Sequence, residues 1–167
     1  MRRRTWLGLG LSAAAVSAIS CNRSGASSSW TALTDSEART LEAACAQLIP
    51  ADQDPGAKEA GVVVYIDTQL SRSFRRHRKA YRQGLAGIDT ASVARFGKSF
   101  PDLTGTQQVE ILNSVEEKDR QFFDLLLSHA RQGFYGDPRH GGNRNMASWK
   151  MVGLSFPPVR GREHYQG

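Results

Sequence analysis

Cysteine is scarce in this 167-residue chain: Cys21 and Cys45 are the only two. Two thiols set that far apart supply no CxxCH for haem attachment and no cluster for iron–sulfur ligation. Paired histidines at metal-site spacing, such as HExxH, are also missing, as is a nucleophile elbow of the GxSxG kind. Gly8-Leu9-Gly10-Leu11-Ser12-Ala13 has glycines spaced like a dinucleotide fingerprint, but no strand precedes it. Long hydrophobic runs are lacking too. The longest, Trp6 to Ile19, would extend roughly 20 Å as a helix, short of the ~30 Å hydrocarbon core. These absences exclude a redox cofactor held by this chain alone and a membrane-spanning helix of ordinary length.

What is present begins with charge. The formal net charge is +6, and Arg2, Arg3 and Arg4 supply half of it with no acid nearby. Those arginines, the apolar run behind them and the small residues before Cys21 have the layout of an export signal over residues 1–20. Arg3-Arg4-Thr5-Trp6-Leu7 resembles a twin-arginine signal, which serves proteins that fold before crossing the membrane. Ala18-Ile19-Ser20-Cys21 resembles a bacterial lipobox, in which Cys21 would become the acylated first residue of a periplasmic lipoprotein. Residues 21–32, rich in serine, are expected as a lipidated, flexible tether. An acylated Cys21 would leave Cys45 without an intrachain disulfide partner.

From Leu33 to Gly153 the pattern predicts a single all-α domain of five or six helices, followed by an irregular tail over residues 154–167. Thr34-Asp35-Ser36-Glu37 and Thr104-Gly105-Thr106-Gln107 both have capping-box spacing. Pro50 is expected to stop the first helix. Val62-Val63-Val64-Tyr65-Ile66 has strand propensity, but the apolar spacing through Leu70 and Phe74 favours helix. Tyr81, Leu85 and Ile88 continue a helical face, and Ala91 to Phe96 is expected as a shorter piece. Phe122, Phe123, Leu126, Leu127 and Ala130 form a stripe that Gly133 is expected to end.

Candidate chemistry within this domain is thin. Asp52-Gln53-Asp54 begins like a calcium loop, but Pro55-Gly56 follows and Val63 stands where a bidentate Glu belongs, so a turn is expected. Cys45 lies on an apolar helix face and is expected in the core. Arg72 to Gly84 interleaves cations with Phe74 and Tyr81. Those aromatics are spaced to face a core, which leaves the arginines on a solvated or partner-facing side rather than on nucleic acid. His129, Asp137 and His140 form the only combination worth testing as a hydrolase site.

Three ordered blocks carry a family likeness: the stretch from Leu33 to Leu70, Tyr81 to Asp89 ("YRQGLAGID"), and Gly133 to Gly153 ("GFYGDPRHGGNRNMASWKMVG"). Together they resemble subunit 3 of membrane-bound gluconate 2-dehydrogenase. The resemblance implies a non-catalytic accessory subunit of an oxidoreductase complex. Its partner would be a large flavoprotein of the glucose-methanol-choline type, carrying FAD and oxidising a sugar, sugar acid or polyol. A multihaem cytochrome c, with haem c, is implied as a possible third subunit, and export to the periplasmic face of a bacterial membrane would follow the twin-arginine route. The resemblance carries over no catalytic, cofactor or metal residues. Within the Gly-rich block, Gly141 and Gly142 permit tight turns, while Tyr135, Arg139, Arg144 and Trp149 are residue types that anchor interfaces. That block is therefore expected to dock on the partner, with Asn145 capping a last short helix. The alternative is a stand-alone periplasmic lipoprotein that binds a small anion or sugar through the same loop.

Overall fold

The computed structural model describes residues 29–154. The expected signal peptide, Arg3, Arg4, Cys21 and almost all of the tail lie outside them. Six α-helices and four short 3-10 turns form an all-α domain, with no strand among the described residues. The helices are α1 (Asp35–Leu48), α2 (Val62–Ser71), α3 (Arg78–Phe96), α4 (Gly105–Lys118), α5 (Arg120–Tyr135) and α6 (Ala147–Met151).

Both expected capping boxes form. Thr34 accepts from Glu37 N at 3.2 Å while Glu37 accepts from Thr34 N at 2.8 Å, and Thr104 and Gln107 repeat the exchange at α4. Pro50 lies just beyond the end of α1, as expected. The Val62–Ile66 run is helical, launched from Gly61 in the left-handed region at φ 69°. Asp52 and Asp54 close a turn on each other: Asp54 N donates to Asp52 Oδ1 at 2.9 Å and Asp52 N to Asp54 O at 3.1 Å.

Two boundaries differ from expectation, both for reasons of packing. Ala91–Phe96 is no separate piece but the last third of the 19-residue α3, which ends at Gly97 with φ 69°. Gly84 inside it does not break the helix, because its missing side chain leaves room for the Phe122 ring. A Cβ at Gly84 would stand 2.4 Å from that ring. Likewise α5 does not stop at Gly133 but runs on to Tyr135. The Tyr65 ring fills the space above Gly133, where a Cβ would meet it at 2.9 Å.

The core draws on α1 to α5: Leu41, Ile66, Leu70, Leu85, Ile88, Ile111 and Leu126 are all 2% exposed or less. Cys45 is buried among them, and burial, with help from Glu42, pushes its thiol up to about 12. Buried polar groups are tied into this core. Gln108 donates to Phe100 O and accepts from Gln47, while Asp89 accepts from Thr40 and from Phe100 N. One clasp had no counterpart in the sequence reading. Asp67, buried on α2, accepts from three consecutive backbone N–H groups, those of Thr31, Ala32 and Leu33, at 2.8, 2.8 and 3.0 Å. Its carboxylate fixes where the amino-terminal segment meets the domain. No helix among the described residues is long and apolar enough to cross a membrane.

Candidate functional site

The Gly-rich block forms a braced corner at the end of α5. Gly136 caps α5, and Asp137 begins a 3-10 turn, Pro138–His140, by accepting from Arg139 N at 3.0 Å. The Arg139 guanidinium also grips the Asp137 carboxylate, and this hydrogen bonding holds the Asp137 pKa below its usual value. Gly141, at φ 99°, turns the chain back. Gly142 then passes so close to α5 that a Cβ on it would stand 2.1 Å from the Gly133 carbonyl oxygen.

Asn143 locks this return. Its backbone N–H donates to Gly133 O at 2.9 Å, and its Nδ2 donates to Gly136 O at 2.9 Å. Its Oδ1 accepts from Ser148 N at 3.0 Å. One fully buried side chain thus links the residue that caps α5 to the first turn of α6. The expected cap, Asn145, does not perform this task. It sits in the left-handed region at φ 58° with no capping bond, and Asn143, two residues earlier, reaches the helix instead.

The backbone here is strained. Asn143, Asn145 and Met146 have φ of 45°, 58° and 56°. Asparagine tolerates that region, whereas for methionine the strain is worth roughly 1–2 kcal/mol. Such conformations persist only where surrounding structure dictates them, and they gather at functional sites. The result is a cleft of about 390 Å³ lined by Pro138, Gly141, Arg144, Asn145, Met146 and Lys150. Arg144, on its wall, ties the corner to the start of α2: its N–H donates to Ala60 O at 2.9 Å, and its guanidinium lies beside Gly61.

The expected contact residues divide into two groups. Tyr135, Arg139 and Arg144 are exposed, whereas Gly142 and Trp149 are buried in the chain itself. The Trp149 indole N–H donates to Tyr135 O at 3.0 Å, so Trp149 braces the corner from beneath. Three residues that sequence reasoning passed over, Met151, Val152 and Leu154, join Tyr135 in supplying the apolar surface. Among the described residues six large hydrophobic side chains are exposed, and four of them (Tyr135, Met151, Val152 and Leu154) belong to this corner.

The hydrolase combination is not assembled. Asp137 and His140 share the 3-10 turn, but His129 stands elsewhere, inside an aromatic stack. Phe74 lies flat on it at 3.9 Å, the Tyr81 ring is parallel at 5.8 Å, and Tyr81 Oη is hydrogen-bonded to His129 Nδ1 at 3.0 Å. Burial, aided by His77 and Arg76, lowers its pKa to about 4. Among the described residues no three His, Cys, Asp or Glu side chains gather where a metal ion could sit.

Residues 35–156 match the family described as Gluconate 2-dehydrogenase subunit 3. The chain belongs to that family. No curated protein and no solved structure gives a match. As a gluconate 2-dehydrogenase subunit 3 protein the chain is a component of a dehydrogenase complex with other subunits. The matched segment takes in all six helices and the whole braced corner.

Proposed function

We propose that this subunit 3 protein is the non-catalytic scaffold of an exported flavin-dependent dehydrogenase, and that the corner formed by α5 and α6 docks on the large subunit. That partner is a flavoprotein of the glucose-methanol-choline type, holding FAD and oxidising a sugar, sugar acid or polyol. A multihaem cytochrome c then takes the electrons. Arg3 and Arg4 mark the twin-arginine signal that carries the folded pair to the periplasmic side, and an acylated Cys21 anchors it to the membrane.

The observation supporting a docking role is the clustering of exposed apolar side chains on a strained, internally braced corner. Water-facing Tyr135, Met151, Val152 and Leu154 gain by burial against another surface, and Arg139 and Arg144 border them with charge. Because Asn143 and Trp149 already fix the loop, little ordering remains to be done on binding.

The deciding experiment is a pull-down of the tagged chain from membranes. A flavoprotein should co-purify, and Tyr135→Ala with Val152→Asp should reduce its recovery at least tenfold. The purified chain alone should be colourless and inactive towards sugars with an artificial electron acceptor. Turnover by the isolated chain would refute the proposal. A second reading, small-anion or sugar binding without a partner, draws on the cleft beside Arg144 and Lys150. A rise in melting temperature of the isolated chain on adding gluconate would favour it.

A further inference from the structure

The charge of the described domain is concentrated in one place. Residues 29–154 contain sixteen Lys and Arg against fifteen Asp and Glu. Between Asp67 and Asp89, however, six cations (Arg72, Arg75, Arg76, Arg78, Lys79 and Arg82) occur with no acid among them. Outside that segment ten cations face fifteen acids. A nearly neutral domain thus has a basic pole on an otherwise acidic body.

The fold leaves this pole open. It covers the end of α2, the 3-10 turn Arg75–His77 and the start of α3. Arg72, Arg75, Arg76 and Lys79 are exposed, and none forms an ion pair with a described residue. By contrast Arg39, Lys58, Arg95, Arg120 and Arg139 each have a carboxylate. Within the pole Arg82 alone reaches one, Glu37 at 3.7 Å, and Arg78 donates to Leu70 O. The apolar side chains of the turn face inward: Phe74 lies on His129 and Tyr81 is buried. The outer surface of the turn is therefore almost purely cationic, unlike the apolar corner proposed for docking.

Its position supplies the second argument. Asp67 holds the N–H groups of Thr31, Ala32 and Leu33, and its helix, α2, ends four residues later at Ser71, about 6 Å along the axis, immediately before Arg72. The helix that holds the amino-terminal segment thus leads directly into the basic pole. From Cys21 to Thr31 a fully extended chain spans at most roughly 36 Å. An anchor at Cys21 confines α2 to the neighbourhood of the bilayer, where one acyl signal plus a basic patch makes a durable attachment.

We propose that the basic pole from Arg72 to Arg82 lies against an anionic phospholipid surface and orients the domain on the membrane. The inference rests on the membrane attachment proposed above. It turns the +6 segment towards lipid head groups and leaves the α5–α6 corner for the protein partner.

The test uses the full chain and an R72Q/R75Q/R76Q/K79Q variant. Each is reconstituted on vesicles of phosphatidylcholine alone or mixed with phosphatidylglycerol, and amide hydrogen exchange is followed across residues 72–82 and across α4. In the parent, exchange at 72–82 should slow roughly tenfold or more on the anionic vesicles only, with α4 unchanged. High salt and the variant should both abolish the slowing, because screened or absent charge removes the attraction. Equal exchange on both vesicles overturns the inference. So does protection of 72–82 by the flavoprotein in lipid-free detergent, which would make the pole a protein contact. Recovery of the flavoprotein by the variant chain reports on the docking proposal separately, so the two readings fail independently.

Discussion

At the scale of single residues, His129 couples the core to pH. Its pKa is held at about 4 in the fold, whereas an unfolded histidine titrates near 6.5. Between those values the unfolded chain binds the proton and the native one does not, so stability falls as pH drops from about 6.5 to about 4. The full effect is on the order of 3 kcal/mol. His129→Gln keeps an acceptor for Tyr81 but cannot titrate, so urea unfolding from pH 7.5 down to 4 should show a flatter profile than the parent. An unchanged slope would place the acid sensitivity elsewhere. Asn143 matters for a different reason. Asn143→Ala orphans the Gly136 carbonyl and the Ser148 N–H, at about 2–3 kcal/mol, and should lower the melting temperature by several degrees. Neither role could be read from sequence. Histidine in an apolar stripe and asparagine beside glycines look alike whether buried or exposed, and only the tertiary partners tell them apart.

At the scale of elements, local rules served well where they involve near neighbours. The capping boxes at Thr34 and Thr104 and the stop at Pro50 concern residues within one turn of each other, and all were legible. Helix boundaries governed by distant packing were not. Gly133 looks like a break, yet it lies within α5, and there, as at Gly84 within α3, an aromatic ring from another helix occupies the missing side-chain space. Gly84→Ala should therefore destabilise by about 1–3 kcal/mol through collision with Phe122, although alanine is the better helix former. Thermal unfolding of that variant decides between the two effects: a higher melting temperature would mean that propensity outweighs the clash. In the α5–α6 corner, the glycines marked a segment of tight turns, as Gly141 at φ 99° and the close approach of Gly142 to Gly133 show. The assignment of individual side chains to inside or outside was beyond the pattern: Trp149 on α6 is buried while Tyr135 at the end of α5 is exposed.

At the scale of the whole domain, the described residues divide by chemistry: apolar at the α5–α6 corner, cationic at the α2–α3 turn, and acidic on balance over the rest. Those two regions suit two different neighbours, a protein and a charged interface, which is why separate variants should disable one association and spare the other. The Asp67 clasp adds a mechanical corollary. A pull on the chain ahead of Thr31 meets three hydrogen bonds from consecutive residues that converge on one carboxylate. The force then enters the bundle through α2 instead of peeling α1 from its end.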